Sequence, residues 1–188
     1  MRGVLYDYIG KEIIISIPYG VIEISACAFL GNTNLTSVNI PSSVKRIGWA
    51  AFVGCSSLTS LEIPQSVKTI ESSTFKECSS LRSVSLPQKL NKIYFEAFKD
   101  CNSLLSLVFP DGLKQISFVA FKGCSSLEYI VIPNSVKKID LSAFSSCDSL
   151  ADIYFCGSEE EWNSIEMSRF IFENKQIHFN YKIGQHNK

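Results

Sequence analysis

The chain has 188 residues, 46% of them hydrophobic, and its 18 basic residues balance 18 acidic ones. This neutrality argues against a protein that binds nucleic acid or anionic membranes through a global positive field. No apolar run reaches the roughly 18 residues of a membrane span, and the N-terminus lacks the apolar stretch of a secretory signal. We therefore expect a core-forming chain with no nucleic-acid partner and no membrane span.

A repeat with a period of 23 residues organises the sequence, and no insertion interrupts it. It is visible as three columns of identical residues: Pro18, Pro41, Pro64, Pro87, Pro110 and Pro133; Phe29, Phe52, Phe75, Phe98, Phe121 and Phe144; Leu35, Leu58, Leu81, Leu104, Leu127 and Leu150. Repeats of this length stack into solenoids in which each coil is stabilised by its neighbours. We predict an α/β repeat solenoid, mostly strand and irregular turn with few helices, and no buried catalytic pocket.

The first element in chain order is an N-terminal cap over residues 1–24. Residues 4–8 and 12–17 flank 9–11, a pattern that predicts a capping hairpin. The first repeat that follows is degenerate, because Glu12 stands where the strand-opening leucine belongs.

The solenoid itself is predicted over residues 25–157. In one unit, Val38 and Ile40 point inward with the alternation of a strand, and Pro41 ends the ladder because it has no N–H to donate. Val44 and Ile47 then re-enter the core along an extended or irregular return. The equivalent strands are predicted to form one parallel sheet, at 15–17, 38–40, 61–63, 84–86, 107–109, 130–132 and 153–155.

A C-terminal cap is predicted over residues 158–188. Ser158 and Glu161 form a capping-box pattern that opens a short helix running through Trp162 and Ile165 towards Met167. The alternation of residues 177–181 then predicts a closing strand.

Five of the seven cysteines form a column of their own: Cys55, Cys78, Cys101, Cys124 and Cys147, with Asn32 in the same place in the first copy. Exchange with asparagine favours a small residue at a tight corner that donates a weak S–H hydrogen bond. Stacked thiolates holding a thiophilic metal, or disulfides between coils, remain alternatives.

The unit Leu-x-x-Val/Ile-x-Ile-Pro-x-x-Val-x-x-Ile-x-x-x-Ala-Phe-x-x-Cys, over about residues 15–157, resembles the BspA type of leucine-rich repeat. Residues 154–162 also look like the terminal cap of such proteins. The resemblance implies a right-handed superhelix with a parallel sheet on its concave side. It also implies a bacterial surface or secreted location and adhesion to host proteins, and it supplies no catalytic residues. The lack of a leader or anchor in the chain leaves a cytoplasmic location open.

The concave sheet is the expected binding face, because its outward side chains form a rigid array. In the C-terminal half these outward positions bring together the apolar and aromatic residues Val108, Tyr129, Val131 and Tyr154. Exposed residues of this kind in one patch are what an interface core needs. The alternative is that they pack beneath the C-terminal cap or serve only strand propensity.

A basic stripe follows the proline turn: Lys45, Arg46, Lys68, Lys92, Lys114, Lys137 and Lys138. A stripe of cations could bind an anionic glycan weakly. The alternative is that these charges keep an outer face of the solenoid soluble.

Catalysis has little support in the sequence. The two histidines, His178 and His186, form no zinc-binding pair, and no phosphate-binding glycine loop is present. We therefore expect no cofactor, no metal and no enzymatic activity. The favoured function is a monomeric recognition or adhesion module for a protein or peptide, with a host matrix protein as one such partner. A structural scaffold without a discrete ligand is the alternative.

Overall fold

The computed structural model describes residues 3–5, 8, 10, 12–168 and 170–183. Its elements in the first half are β1 (Val4–Leu5), β2 (Ile14–Ser16), β3 (Glu23–Ile24), β4 (Ser37–Asn39), β5 (Arg46–Ile47), β6 (Ser60–Glu62), β7 (Thr69–Ile70) and β8 (Ser83–Ser85). Those of the second half are β9 (Lys92–Ile93), β10 (Ser106–Val108), β11 (Gln115–Ile116), β12 (Tyr129–Ile132), β13 (Lys138–Ile139), β14 (Asp152–Phe155), α1 (Glu159–Asn163), β15 (Glu166–Met167) and β16 (Gln176–His178).

The main sheet contains one strand from each coil, all parallel. Its ladder has three sections, β2–β4, β6–β8 and β10–β12–β14–β16. Backbone hydrogen bonds join successive sections, from Thr59 N–H to Thr36 O (3.3 Å) and from Leu105 N–H to Arg82 O (3.2 Å). The predicted stacking in 23-residue steps is confirmed, since Ser106 pairs with Tyr129 and Leu107 with Ile130.

A second parallel sheet runs along another side of the coils. It consists of two-residue strands in two separate sections, β1–β3–β5 and β15–β13–β11–β9–β7. The residue pattern of this part of each repeat predicted only an extended or irregular return. Two residues are too short to show an alternation, so only the inward isoleucine, such as Ile47 or Ile93, was visible in the pattern.

The predicted N-terminal hairpin is wrong. β1 pairs parallel with β3, and β2 pairs parallel with β4, so the two segments belong to different sheets. β1 and β2 each form one side of the first coil and add one more strand to the ladder of its sheet. Ile15 and Ile17 of this coil are buried. Ile9 and Lys11 of the predicted turn lie outside the described residues.

The interior is a column of stacked phenylalanine rings. Neighbouring rings from Phe29 to Phe144 have centroids 4.8–5.5 Å apart and interplanar angles of at most 24°. Tyr8 packs on the first ring at 5.2 Å, and Phe172 packs on the last at 5.4 Å. The column is therefore covered by an aromatic ring at each end.

The C-terminal cap opens on the predicted capping box. Ser158 Oγ accepts a hydrogen bond from Glu161 N–H (3.2 Å), and Ser158 N–H donates to Glu161 Oε2 (2.8 Å). The helix ends at Asn163, so its predicted extension through Ile165 towards Met167 is wrong. Glu166–Met167 instead pairs with β13, because this strand continues the second sheet by one more ladder step.

Candidate functional site

The cysteine column forms a hydrogen-bonded corner of the solenoid. Each thiol donates to the backbone oxygen of the phenylalanine 26 residues earlier, for example Cys101 Sγ to Phe75 O at 3.1 Å. The other four distances, for Cys55, Cys78, Cys124 and Cys147, are 3.2 Å. All seven cysteines are free thiols. In the described part of the chain, no group of three or more His, Cys, Asp or Glu side chains could hold a metal ion.

Alkylation should distinguish the five buried thiols of the cysteine column from the thiols of Cys27 and Cys156. Burial raises the pKa of Cys55 and Cys147 to about 12 and raises the pKa of Cys101 and Cys124 well above its usual value. Only thiolates react, so iodoacetamide should modify native protein at the partly exposed Cys27 and Cys156 alone. Intact-protein mass spectrometry should count two adducts before unfolding in urea and seven after it. Rapid native labelling of Cys101 would contradict the buried column.

The basic stripe is partly neutralised by acidic neighbours. Arg46 Nη1 lies 2.6 Å from Glu23 Oε1, and Lys138 Nζ lies 2.6 Å from Glu166 Oε1. Lys92 Nζ sits 4.5 Å from the centre of the Tyr94 ring. The stripe therefore presents a weaker positive field than its sequence indicates, carried mainly by the exposed Lys45, Lys68, Lys114 and Lys137.

The outward face of the main sheet changes character along the solenoid. Over β4, β6 and β8 it carries only small or polar outward residues around a shallow depression of about 420 Å³. Over β10, β12 and β14 it becomes apolar and aromatic. Val108 is 47% exposed, and the rings of Tyr129 and Tyr154 contact each other edge to face at 6.0 Å.

Val131 does not form part of the accessible patch, so the prediction of its exposure is wrong. Its side chain is 1% exposed although it occupies an outward position between Val108 and Tyr154. The side chains of register neighbours on adjacent strands pack against each other, and Tyr154 places a large ring beside this valine. Val131 therefore acts as a support beneath the patch.

The closing strand ends at His178, so its predicted extension to residue 181 is wrong. This strand and the segment after it add two aromatic side chains to the face. The His178 ring stacks on Tyr154 at 4.5 Å, and the Tyr181 ring lies 4.9 Å from Tyr154. His178 Nε2 also lies 2.7 Å from Asp152 Oδ1. Burial, followed by the nearby charge of Asp152, raises the pKa of Tyr154. The pairing of β16 with β14 holds His178 beside Tyr154, and the hydrogen bond from Tyr181 N–H to Phe155 O (3.0 Å) holds Tyr181.

The family described as the BspA type leucine-rich repeat region matches residues 8–126 and 80–186. The chain belongs to the BspA-type leucine-rich repeat family. No curated protein matches it.

Solved leucine-rich repeat structures support this assignment of the BspA-type chain. The leucine-rich repeat protein of T. pallidum is 33% identical over 80% of this chain and 72% of that chain, with a TM-score of 0.78. A protein from Bacteroides ovatus is 30% identical over 76% of this chain and 47% of that one (TM-score 0.62). A leucine-rich cell surface protein from Faecalibacterium prausnitzii is 25% identical over 81% and 62% (TM-score 0.53). The chain thus spans less than two thirds of the latter two proteins.

Sequence reasoning on this BspA-type protein missed Leu105, His178 and Tyr181. Leu105 is 45% exposed and directly follows Leu104 of the leucine column. An alternation that places Ser106 and Val108 outward does not include Leu105 among the outward positions. His178 aligns with Tyr154 through a step of 24 residues, since Asp152 pairs with Gln176. The 23-residue period therefore could not place it. We define the recognition patch as Leu105, Val108, Tyr129, Asp152, Tyr154, His178 and Tyr181.

Another apolar surface of the BspA-type chain lies outside the main sheet. Phe95 and Phe118 are 44% and 45% exposed, and their rings stack at 6.1 Å. Each follows a strand of the second sheet by two residues. This pair offers a matched comparison for aromatic residues of the recognition patch. None of the helices in the described residues has the length and apolarity to cross a membrane.

Proposed function

We propose that the protein is a non-catalytic recognition module that binds an extended segment of a protein partner on the recognition patch. The observation that carries this proposal is the contact of Tyr129 and Tyr154 on the outward face of adjacent strands. Val108 and Leu105, both nearly half exposed, continue the apolar surface beside them. Aromatic residues supported by a packed surface are the usual anchors of protein interfaces.

The dimensions of the patch favour a short extended segment. The patch extends over β10, β12, β14 and β16, which are three strand spacings of about 4.8 Å each, or roughly 14 Å. An extended peptide rises about 3.3 Å per residue, so about five residues cross it. Because the side chains stand on a hydrogen-bonded sheet, little conformational entropy is lost when they bind.

A surface location fits this function. The F. prausnitzii protein of similar fold is a cell surface protein, and adhesion to a host matrix protein would use an exposed face of this kind. The anionic-glycan alternative is weakened by the ion pairs of Arg46 and Lys138. A scaffold without a ligand would not need an aromatic cluster on one half of the sheet only.

The test is a selection from random displayed heptapeptides on the immobilised protein. We expect enrichment of binders whose affinity falls at least about thirtyfold in the Tyr129→Ser/Tyr154→Ser variant, since interface anchors contribute about 2 kcal/mol or more each. A Phe95→Ser/Phe118→Ser variant removes a comparable exposed ring pair and should bind normally. Val108→Arg places a charge on the patch without removing a buried group and should also weaken binding.

Two results would reject the proposed function. One is failure to enrich any peptide over an unrelated immobilised protein. The other is equal affinity of the two aromatic-pair variants, provided that circular dichroism shows both to be folded.

A further inference from the structure

An acidic side chain lies inside the aromatic part of the recognition patch. Asp152 pairs in register with Tyr129 on β12 and precedes Tyr154 by two residues on the same face of β14. Its Oδ1 is 2.7 Å from His178 Nε2, and its side chain is 36% exposed. Within the described residues, no hydrogen bond or ion pair involves Oδ2. The carboxylate can therefore accept a further donor from outside.

The charges around Asp152 favour a cationic ligand. Glu128, exposed and directly before β12, adds a second acid next to Tyr129. Leu105, directly before β10, and Ser106 and Val108 on β10 carry no charge, and β16 contributes Gln176 and His178. Lys175 lines a separate cavity with Leu141 and Phe170, and Lys182 follows Tyr181 at the exposed end of the patch.

We propose that the partner segment carries an arginine or lysine whose cationic head contacts Asp152 while its aliphatic stem lies across Tyr129 and Tyr154. The arrangement combines a charge-assisted hydrogen bond with the attraction of a cation to aromatic faces. Long basic side chains suit it because their stems are apolar and their heads are charged. This inference rests on the proposed function and specifies the chemistry of the partner.

The distribution of charge also sets the register of the partner. A cation at Asp152 places the next outward side chain of an extended segment over Val108 on one side or Tyr181 on the other. Apolar residues flanking one basic residue are thus the expected motif. An acidic residue at the central position would face Asp152 and would be excluded.

The test compares the same displayed heptapeptide selection on the native protein and on Asp152→Asn. The native protein should enrich peptides with one central arginine or lysine, and Asp152→Asn should not show this preference. For a synthetic copy of a selected peptide, affinity should fall about tenfold in Asp152→Asn. Replacing the arginine of the peptide by neutral citrulline should cause the same fall, and the two changes together should be less than additive. Asp148→Asn, an exposed acid outside the patch, controls for net charge and should leave affinity unchanged.

The outcomes separate the two proposals. Binders without a basic residue, or equal affinities for arginine and citrulline peptides, would overturn the cationic contact and leave the proposed function standing. An equal loss in Asp148→Asn and Asp152→Asn would also overturn it, because the effect would be long-range charge. If no peptide is enriched at all, the proposed function fails and this inference fails with it.

Discussion

Replacing Phe98 by alanine should lower the free energy of unfolding by about 3–5 kcal/mol. Phe98 is fully buried and stacks on Phe75 and Phe121, each at 5.2 Å. The substitution removes the ring contacts on both sides and leaves a cavity in the middle of the column. Urea denaturation followed by circular dichroism measures the loss.

Phe118 provides the matched control for this substitution. It belongs to the same repeat array but is 45% exposed and contacts another exposed ring, Phe95. Phe118→Ala should therefore cost less than about 1 kcal/mol. Equal losses for the two alanine variants would show that the phenylalanine column does not form the core of the solenoid.

The position of the residues destabilised by Phe98→Ala should also be informative. Coils of a solenoid contact only their neighbours, so the stability of the array is a sum of coil and interface terms. Phe98→Ala should increase amide hydrogen exchange most in the coils of Phe75 and Phe121. Uniform acceleration over the whole chain would contradict this nearest-neighbour description.

Replacing Trp162 by alanine should destabilise the C-terminal end by about 3–5 kcal/mol. Trp162 is 5% exposed, and its ring packs against Phe155 at 5.2 Å and Phe172 at 5.6 Å. Because Phe172 also covers the last ring of the column, loss of Trp162 loosens both the cap and Phe144. We expect faster hydrogen exchange in β14 and β16 and a lower melting temperature.

Trp49, the other tryptophan of the chain, is 55% exposed and serves as its control. Trp49→Ala should change the stability by less than about 1 kcal/mol. If both tryptophan variants melt at the same temperature, the helix and its surroundings do not stabilise the solenoid. The Trp162 variant should also bind selected peptides more weakly, because β16 carries His178 of the recognition patch.

Much of the architecture could be predicted from single columns of residues. The phenylalanine and leucine positions are buried throughout, as their 23-residue spacing indicates. The corner role of the cysteines also follows from their exchange with asparagine. These predictions succeed because each repeated position meets an equivalent environment in the next coil, so one unit describes all of them.

The candidate site was only partly predictable. Alternation along the strands identified Tyr129, Tyr154 and Val108, but it could not show that Val131 is covered. The ion pair of Arg46 with Glu23 was also missed, although the two residues are one period apart, because the strands β3 and β5 that pair them were not predicted. Exposure and charge pairing depend on side chains from neighbouring coils, which a pattern within one repeat does not contain.

The amino-acid sequence by itself determined the stacking of coils, the identity of the inward side chains and the polar-to-aromatic change along the main sheet. The tertiary structure alone decided the second sheet, the parallel N-terminal strands and the placement of His178 beside Asp152 and Tyr154. The second sheet keeps 23-residue steps in most of its pairings, but its strands are only two residues long and show no alternation. Its end strands and the position of His178 arise where the period fails. Val4 pairs with Glu23 and Lys138 with Glu166, offsets of 19 and 28 residues. Strand pairings with these offsets are selected only by the backbone hydrogen bonds between neighbouring coils.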